Sequence, residues 1–379
     1  MAWSKQCLHD WLQLALAPAK LKRLISKQFT QQIAAQAGFE LEAELSIQGP
    51  PNWQEPFAQI PLFWRKQLPA VDHRLLEKSW HWYQQQTNTE RGFWVLGQPD
   101  YPVQLSSVAN PPWLLCWEGE PTIAHSHQVA VIGSRKASPQ ALLNTTEFAT
   151  QLAAAGLTIT SGLAMGVDNA SHWAALNQAK PTCAVLGCGI DMCYPPRARA
   201  LKKEIQQYGL VVSEYLPGTP AKTEHFPARN RIISGLSRGV LVMAAAKRSG
   251  SLITARLAAE QGKDVFAVPY GLHDPTGSGC HWLIQQGAKL VTSAADIIDD
   301  WAELSLPHSS QPSESQQEMF QTGLENAIML DNVGFETTSF DQLLQQSQLS
   351  VAEAMNELVS LEVDGWIKAV PGGYVRVRR

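Results

Sequence analysis

The sequence predicts an α/β protein whose central part is a parallel sheet covered by helices on both faces. Three observations point to it. From Gln128 onward, short β-branched runs alternate with longer segments of helical periodicity. The runs are mostly apolar without strict alternation, as in strands buried on both faces. Each run ends in a loop rich in glycine, hydroxyl or basic residues, and the carboxyl ends of such strands are where these sheets bind ligands.

Residues 1–127 read as a small helical domain and a connection. Apolar residues recur at helical spacing over 6–17, 29–37 and 73–86, with a break at Gly49-Pro50-Pro51-Asn52. Nine of the 13 tryptophans fall here. They could stack nucleobases, but they alternate with Leu and Ile and fit a helical core better.

The sheet domain is expected over 128–302. Its candidate strands are 128–132, 157–161, 182–187, 210–214, 239–244, 264–269 and 289–293. Helical apolar spacing falls between them at 139–155, 168–179, 197–207 and 251–262. Residues 303–318 are Ser/Gln/Pro-rich and read as a linker. Helical segments follow at 319–331, 339–346 and 350–362. A hairpin signal around Pro371-Gly372-Gly373 then suggests a winged helix over 319–379.

No 18-residue uncharged apolar run occurs, and charges interrupt the N-terminus where a signal peptide needs an apolar core. A cytoplasmic protein without a membrane span is expected. Cys183, Cys188 and Cys193 are spaced like metal ligands, yet no CxxC pair or nearby histidine completes a zinc set, so buried thiols are expected. The formal net charge of −4 is unevenly spread: 128–300 carries +4 and 313–379 carries −6. A polyanion should therefore meet the middle of the chain.

The strand-end loops carry the chemistry. After the first strand comes Gly133-Ser134-Arg135-Lys136, where glycine admits an anion to backbone N–H groups and Arg135 can fork onto a phosphate. It is not GxGxxG, because positions 135 and 138 are Arg and Ser. Next is Ser161 to Asp168, with Gly162 and Gly166 for close approach and Asp168 as a helix N-cap more readily than an acid/base catalyst. Gly187 to Arg197 follows, ending Tyr194-Pro195-Pro196-Arg197.

Phe226-Pro227-Ala228-Arg229-Asn230-Arg231 combines a stacking ring, two phosphate forks and a base-edge hydrogen bonder at a helix start. Lys247 to Thr254 adds a basic and hydroxyl-rich helix start, with Ser249, Gly250 and Ser251 as an anion cradle. No Walker GxxxxGK[ST] is present, so no ATP-hydrolysing loop is expected. His273, Asp274, Cys280 and His281 could form a catalytic or metal group, but satisfied loop polar groups are the simpler reading.

In order, VIGSR, SGLAMGVD, GCGIDMCYP, SEY, FPARNRIISGLS, SGSLITA and GCHWLIQQGAKLV resemble the DNA-processing protein A family (DprA, also called Smf). The likeness is dense over 128–300 and looser over 93–119. It implies an extended Rossmann-like sheet, a SAM-like helical domain before it and often a winged helix after it. It further implies binding and protection of incoming single-stranded DNA, loading of the RecA recombinase during natural transformation, and a homodimer through the Rossmann-like domain. By motif, DNA contacts fall on Ser134, Arg135, Ser161, Gly162, Phe226, Arg229, Asn230, Arg231, Ser249, Gly250 and Ser251. The loop reading adds Lys136, Arg197, Lys247 and Thr254.

Two departures stand out: Val242-Met243-Ala244-Ala245 lacks the family's usual acidic residue, and Tyr270 is inserted in its usual Pro-Gly. No catalysis, cofactor or metal is expected. The alternative, a Rossmann-like nucleotide-processing enzyme of the phosphoribohydrolase kind, wants a PGGxGT-type loop that the chain lacks. A duplex-binding regulator acting through the C-terminal domain fits poorly with that domain's negative charge.

Overall fold

The computed structural model describes residues 3–18, 20–22, 57, 60, 65–85, 87–272, 274–301, 333–334, 337–347, 351–363 and 366–376. Among the described residues the first helices are α1 (Lys5–Ala15) and α2 (His73–Gln84), capped by the side chains of Ser4 and Asp72. The expected segment 29–37, the break at 49–52, the 303–318 linker and the 319–331 helix lie outside the described residues.

Strands β1 (Arg91–Val95) and β2 (Leu114–Gly119) come next, with the short helix α3 (Val103–Ser106) between them. The alternating part follows: β3 (Gln128–Gly133), α4 (Pro139–Ala154), β4 (Thr158–Ser161), α5 (Val167–Asn177), β5 (Thr182–Val185), α6 (Arg199–Tyr208), β6 (Leu210–Ser213), α7 (His225–Leu236), β7 (Gly239–Ala244), α8 (Ser251–Glu260), β8 (Asp264–Ala267), α9 (Ser278–Gln285), β9 (Lys289–Leu290) and α10 (Ala295–Asp300). All seven expected strands are present.

The nine strands form one sheet in the order β1-β2-β6-β5-β4-β3-β7-β8-β9. Strands β3 to β9 pair in parallel. β2 joins antiparallel to β6 and β1 antiparallel to β2. The sheet therefore begins at Arg91, inside the segment expected to be a connection, and not at Gln128. β3 is buried along nearly its whole length, as a central parallel strand must be. At the far edge β9 has two exposed residues, one a lysine, a short and charged edge that discourages further pairing.

Each sheet face has its own core. One joins the N-terminal helices to the sheet through Leu8, Trp11, Leu12, Phe93 and Trp94; the other holds Phe148, Leu152, Phe266 and Trp301. The described N-terminal tryptophans serve this packing. Trp3 and Trp82 meet Phe93 edge-on at 5.3 and 5.4 Å. A buried pair locks the junction: Arg91 Nη2 lies 2.6 Å from Glu118 Oε1, while Gln206 donates to Glu118 Oε2 at 2.6 Å.

The C-terminal domain has its own small core of Val333, Leu343, Ala354, Leu358, Leu361 and Ile367. It contains α11 (Phe340–Ser347), α12 (Val351–Val363) and the hairpin β10 (Ile367–Val370) and β11 (Gly373–Arg376). Thr338 bridges to Tyr374 beside the hairpin.

Buried His172 on α5 predicts an acid limit on stability. Thr182 Oγ1 donates to the Ile159 carbonyl, so it accepts from His172 Nδ1 at 2.7 Å, and His172 Nε2 faces no partner among the described residues. Burial first, and Arg229 second, pull its pKa from 6.5 down to about 3. The unfolded chain thus binds the proton that the folded chain refuses. Stability is fully present above pH 6.5 and falls toward pH 3, by up to about 1.4 kcal/mol per pH unit. Urea midpoints measured from pH 8 to pH 4 should show this decline, and His172→Asn should flatten it.

Candidate nucleic-acid interface

The strand order lines up the loops at the carboxyl ends of the parallel strands. From one side they run 214–224, 186–196, 162–166, 134–138, 245–250 and 268–277. The chain runs outward from β3 to β6, then α7 crosses back over β5, β4 and β3 to reach β7 on β3's other side. This reversal puts the topological switch point between β3 and β7, where sheets of this kind open a crevice. The pairing register of the two strands shifts between Ile132 and Gly133, immediately before Ser134.

Arg135 and Lys136 are exposed at this point, and Ser134 Oγ accepts the Lys136 backbone N–H at 3.1 Å. Gly166 holds the neighbouring loop close at φ +79°; a Cβ there would come within 2.3 Å of the Ser134 carbonyl. The Arg135 guanidinium lies over the Phe226 ring, 5.5 Å from its centroid. Phe226 in turn meets Tyr194 at 5.3 Å and 43°, and its edge abuts Gly187, where a Cβ would sit 2.7 Å from the ring. Two strand-end loops thus converge on one half-buried ring at the start of α7. Exposed Arg197 stands on the same loop as Tyr194.

Other expected contacts face inward, and the structure corrects them. Ser161 is fully buried and donates to the Val131 carbonyl at 2.7 Å. Arg229 is 5% exposed; its Nη1 donates to the Gly162 carbonyl at 2.9 Å and to the Val185 carbonyl. It clamps the ends of β4 and β5, where a phosphate fork was expected. Buried Asp168 is its counter-charge. Asp168 is not the N-cap of α5, a position held by Gly166; its Oδ2 reaches back to the Gly162 and Ala164 backbone N–H groups at 3.1 and 3.2 Å.

Burial raises the Asp168 carboxyl while Arg229 opposes the rise. Burial lowers Arg229 to about 10, and Asp168 opposes that shift. Gly162 is buried under this pair, where a Cβ would lie 2.6 Å from Arg229 Nη2, so glycine makes room for the clamp and not for an anion. Arg231 is committed as well: it pairs with Glu214 at 2.6 Å and donates to the Asn110 and Ala228 carbonyls at 2.8 and 3.1 Å. Half-buried Asn230 accepts from Arg229 Nε at 3.3 Å.

At the third cradle Lys247 and Arg248 are exposed. Ser249 and Ser251 hydroxyls bond one another at 2.6 Å, while Ser251 and Thr254 are buried. Gly250 is exposed and has an ordinary φ, and a Cβ there would meet nothing within 4 Å, so neither space nor backbone conformation demands glycine. In the loop after β8, Tyr270 ties that loop to the end of β7: its hydroxyl donates to the Met243 carbonyl and its ring packs on Gly277.

In that loop Asp274 accepts from Thr276, and from the first turn of α9 His281 bonds the Tyr270 backbone while Cys280 is buried. These are satisfied loop groups; His273 lies outside the described residues. Among the described residues no cluster of three His, Cys, Asp or Glu is placed to hold a metal, and no helix is long and apolar enough to cross a membrane.

Exposed Arg135, Lys136, Arg197, Lys247 and Arg248 thus border the strand ends, with no ion pair among the described residues. Tyr194, 46% exposed, is a surface ring to which the sequence pattern, naming it only within the Gly187–Arg197 loop, gave no binding role. Its signal was an aromatic directly before two prolines in a strand-end loop.

Comparison with known proteins agrees with this architecture. The family model described as DNA recombination-mediator protein A matches residues 92–302, and the DprA winged helix domain matches 311–373. The chain is 45% identical over 286 residues to Protein Smf of Escherichia coli, covering 74% of this chain and 75% of that protein. It is 47% identical over 201 residues to DNA processing protein DprA of Streptococcus pneumoniae, covering 53% and 71%.

The X-ray structure of the Streptococcus pneumoniae protein aligns with a TM-score of 0.56 at 36% identity, over 75% of this chain and 98% of that one. DNA processing protein A from Helicobacter pylori, whose structure addresses its single-stranded DNA binding mode, aligns at 0.52 and 29%, over 57% and 96%. With the strand-end loops, the sheet and the C-terminal domain all matched, the chain belongs to the DNA recombination-mediator protein A family.

Proposed function

We propose that this protein binds single-stranded DNA along the strand-end edge, protects incoming strands and loads the RecA recombinase on them during natural transformation and recombination. The observation that carries the reading is the row of exposed cations, Arg135, Lys136, Arg197, Lys247 and Arg248, beside an aromatic pair at the switch point. Cations track a phosphate backbone and rings meet unpaired bases. The Helicobacter pylori relative, described for its single-stranded DNA binding mode, supports the choice of strand. The site is read as acting by binding: its buried Asp168 is spent within the fold, opposed by Arg229 and held by two backbone amides and the Ser161 hydroxyl.

The protein works in the cytoplasm as a homodimer through the Rossmann-like domain. The C-terminal domain contacts protein and not duplex: α12 contains no Lys or Arg and exposes Val351, Met355 and Val359 along one side. Titrating a labelled oligonucleotide at several salt concentrations tests the reading. Affinity should fall with a log–log slope of about −0.7 per phosphate neutralised, and Lys247→Ala with Arg248→Ala should flatten it by up to about two contacts. A slope near zero would refute a phosphate grip.

A further inference from the structure

Opposite charges in this chain lie in different domains. Exposed Arg135, Lys136, Arg197, Lys247 and Arg248 border the strand ends. Met165, Met192 and Leu272 are exposed on the same row of loops, so the edge is basic and partly apolar. The C-terminal domain carries the other sign: residues 313–379 sum to −6.

Helix α12 displays a matching surface. Its sequence, VAEAMNELVSLEV, has three glutamates and no Lys or Arg. Ala354, Leu358 and Leu361 turn to the domain's own core. Val351, Met355, Val359 and Glu362 follow at spacings of four, four and three, so they share one side of the helix, and all four are exposed. An exposed apolar row edged by charge marks a protein contact. A helix offered to a phosphate backbone needs cations, whereas this row fits a partner that is both apolar and basic. The strand-end edge has both properties.

The tether permits the contact. Trp301 packs at the amino ends of β7 and β8, where its Nε1 donates to Asp264 Oδ2 at 2.7 Å and its ring lies against Gly239. The chain thus leaves the sheet at the end opposite the basic loops. A domain of this length is about 40 Å across. Residues 303–318 alone can reach up to about 55 Å, enough to round the sheet. A linker that matches its span holds its cargo at a local concentration on the order of 1 mM, so a weak contact suffices.

We propose that the apolar and acidic side of α12 docks on the strand-end edge of its own chain and competes there with single-stranded DNA. Only a strand that grips the edge well enough to displace the C-terminal domain is then retained. The inference rests on the single-strand reading above and names the partner of the C-terminal domain.

The test uses the full-length protein and its double variant Met355→Ser with Val359→Ser, which removes apolar contact and adds no charge. Without DNA, hydrogen exchange of amides in 162–166, 186–196 and 268–277 should be faster in the variant. Its affinity for a labelled oligo-dT at low salt should rise about three- to tenfold, because apparent affinity scales with the fraction of uncovered sites. Salt weakens the docking as well as the DNA contact, so the two proteins should converge as salt is raised. Glu362→Gln keeps an oxygen for the Ala369 amide, 3.0 Å away, and loses only the charge. It should shift both readouts the same way by a smaller amount. Equal exchange in wild type and variants would overturn the proposal, and so would equal affinities at low salt. Protection that fades on dilution would move the contact to a second copy and overturn docking within one chain. If no form binds oligo-dT, the single-strand reading fails, while the exchange difference still decides the docking.

Discussion

Replacing Arg229 by methionine is expected to cost about 3–5 kcal/mol of folding stability, because it strands a buried carboxylate. Arg229 and Asp168 are both buried at the ends of β4 and β5, and the guanidinium also serves the Gly162 and Val185 carbonyls. Loss of Arg229 leaves Asp168 with two backbone amides, the Ser161 hydroxyl and no counter-charge. Adding Asp168→Asn should recover part of the loss, since a neutral amide no longer needs a cation. Denaturant midpoints for the single and double variants measure both effects. A loss of DNA affinity with native stability would instead return Arg229 to the binding surface.

Arg135→Ala is expected to do the reverse. The side chain is exposed, so folding stability should hold, while affinity for a single strand falls by about 1.5–3 kcal/mol, roughly 10- to 150-fold. The salt slope should shrink by about 0.7, one contact on a single strand. Arg231→Ala makes the contrast. With its fork spent on Glu214 and the Asn110 carbonyl, it should lower the melting temperature more than the affinity. Equal binding losses in the two variants would show that Arg231 leaves Glu214 to meet DNA.

These two arginines show where the sequence was legible and where it misled. FPARNR reads as a basic helix start, and it is one: Phe226 to Arg231 open α7. Helical spacing held the correction. Arg229, Ile232, Ile233 and Leu236 lie at i, i+3, i+4 and i+7, the stripe that turns to the core, and all four are buried. Ser251, Thr254, Ala255 and Ala258 repeat the pattern on α8, which is why Thr254 is not a surface contact. The motif located the strand-end edge, and periodicity would have sorted its residues.

The parallel strands were legible because each is a short, mostly apolar and β-branched run between helices. β1 and β2 were not. RGFWV and LLCWEG sit in a tryptophan-rich stretch where aromatic residues suit strand and helix alike. Only the pairing of β2 with β6, about a hundred residues onward, and of β1 with β2 makes them strands, and no local pattern carries the first of these. Tyr194 escaped for the same reason: its neighbour Phe226 comes from the first turn of α7, more than thirty residues onward.

The most direct test compares equal-length single-stranded and duplex oligonucleotides on the full chain, by fluorescence anisotropy at one fixed salt concentration. The strand-end edge predicts tighter binding of the single strand, with affinity reduced in Arg135→Ala. Equal affinity for the two forms, unaffected by that substitution, would contradict it.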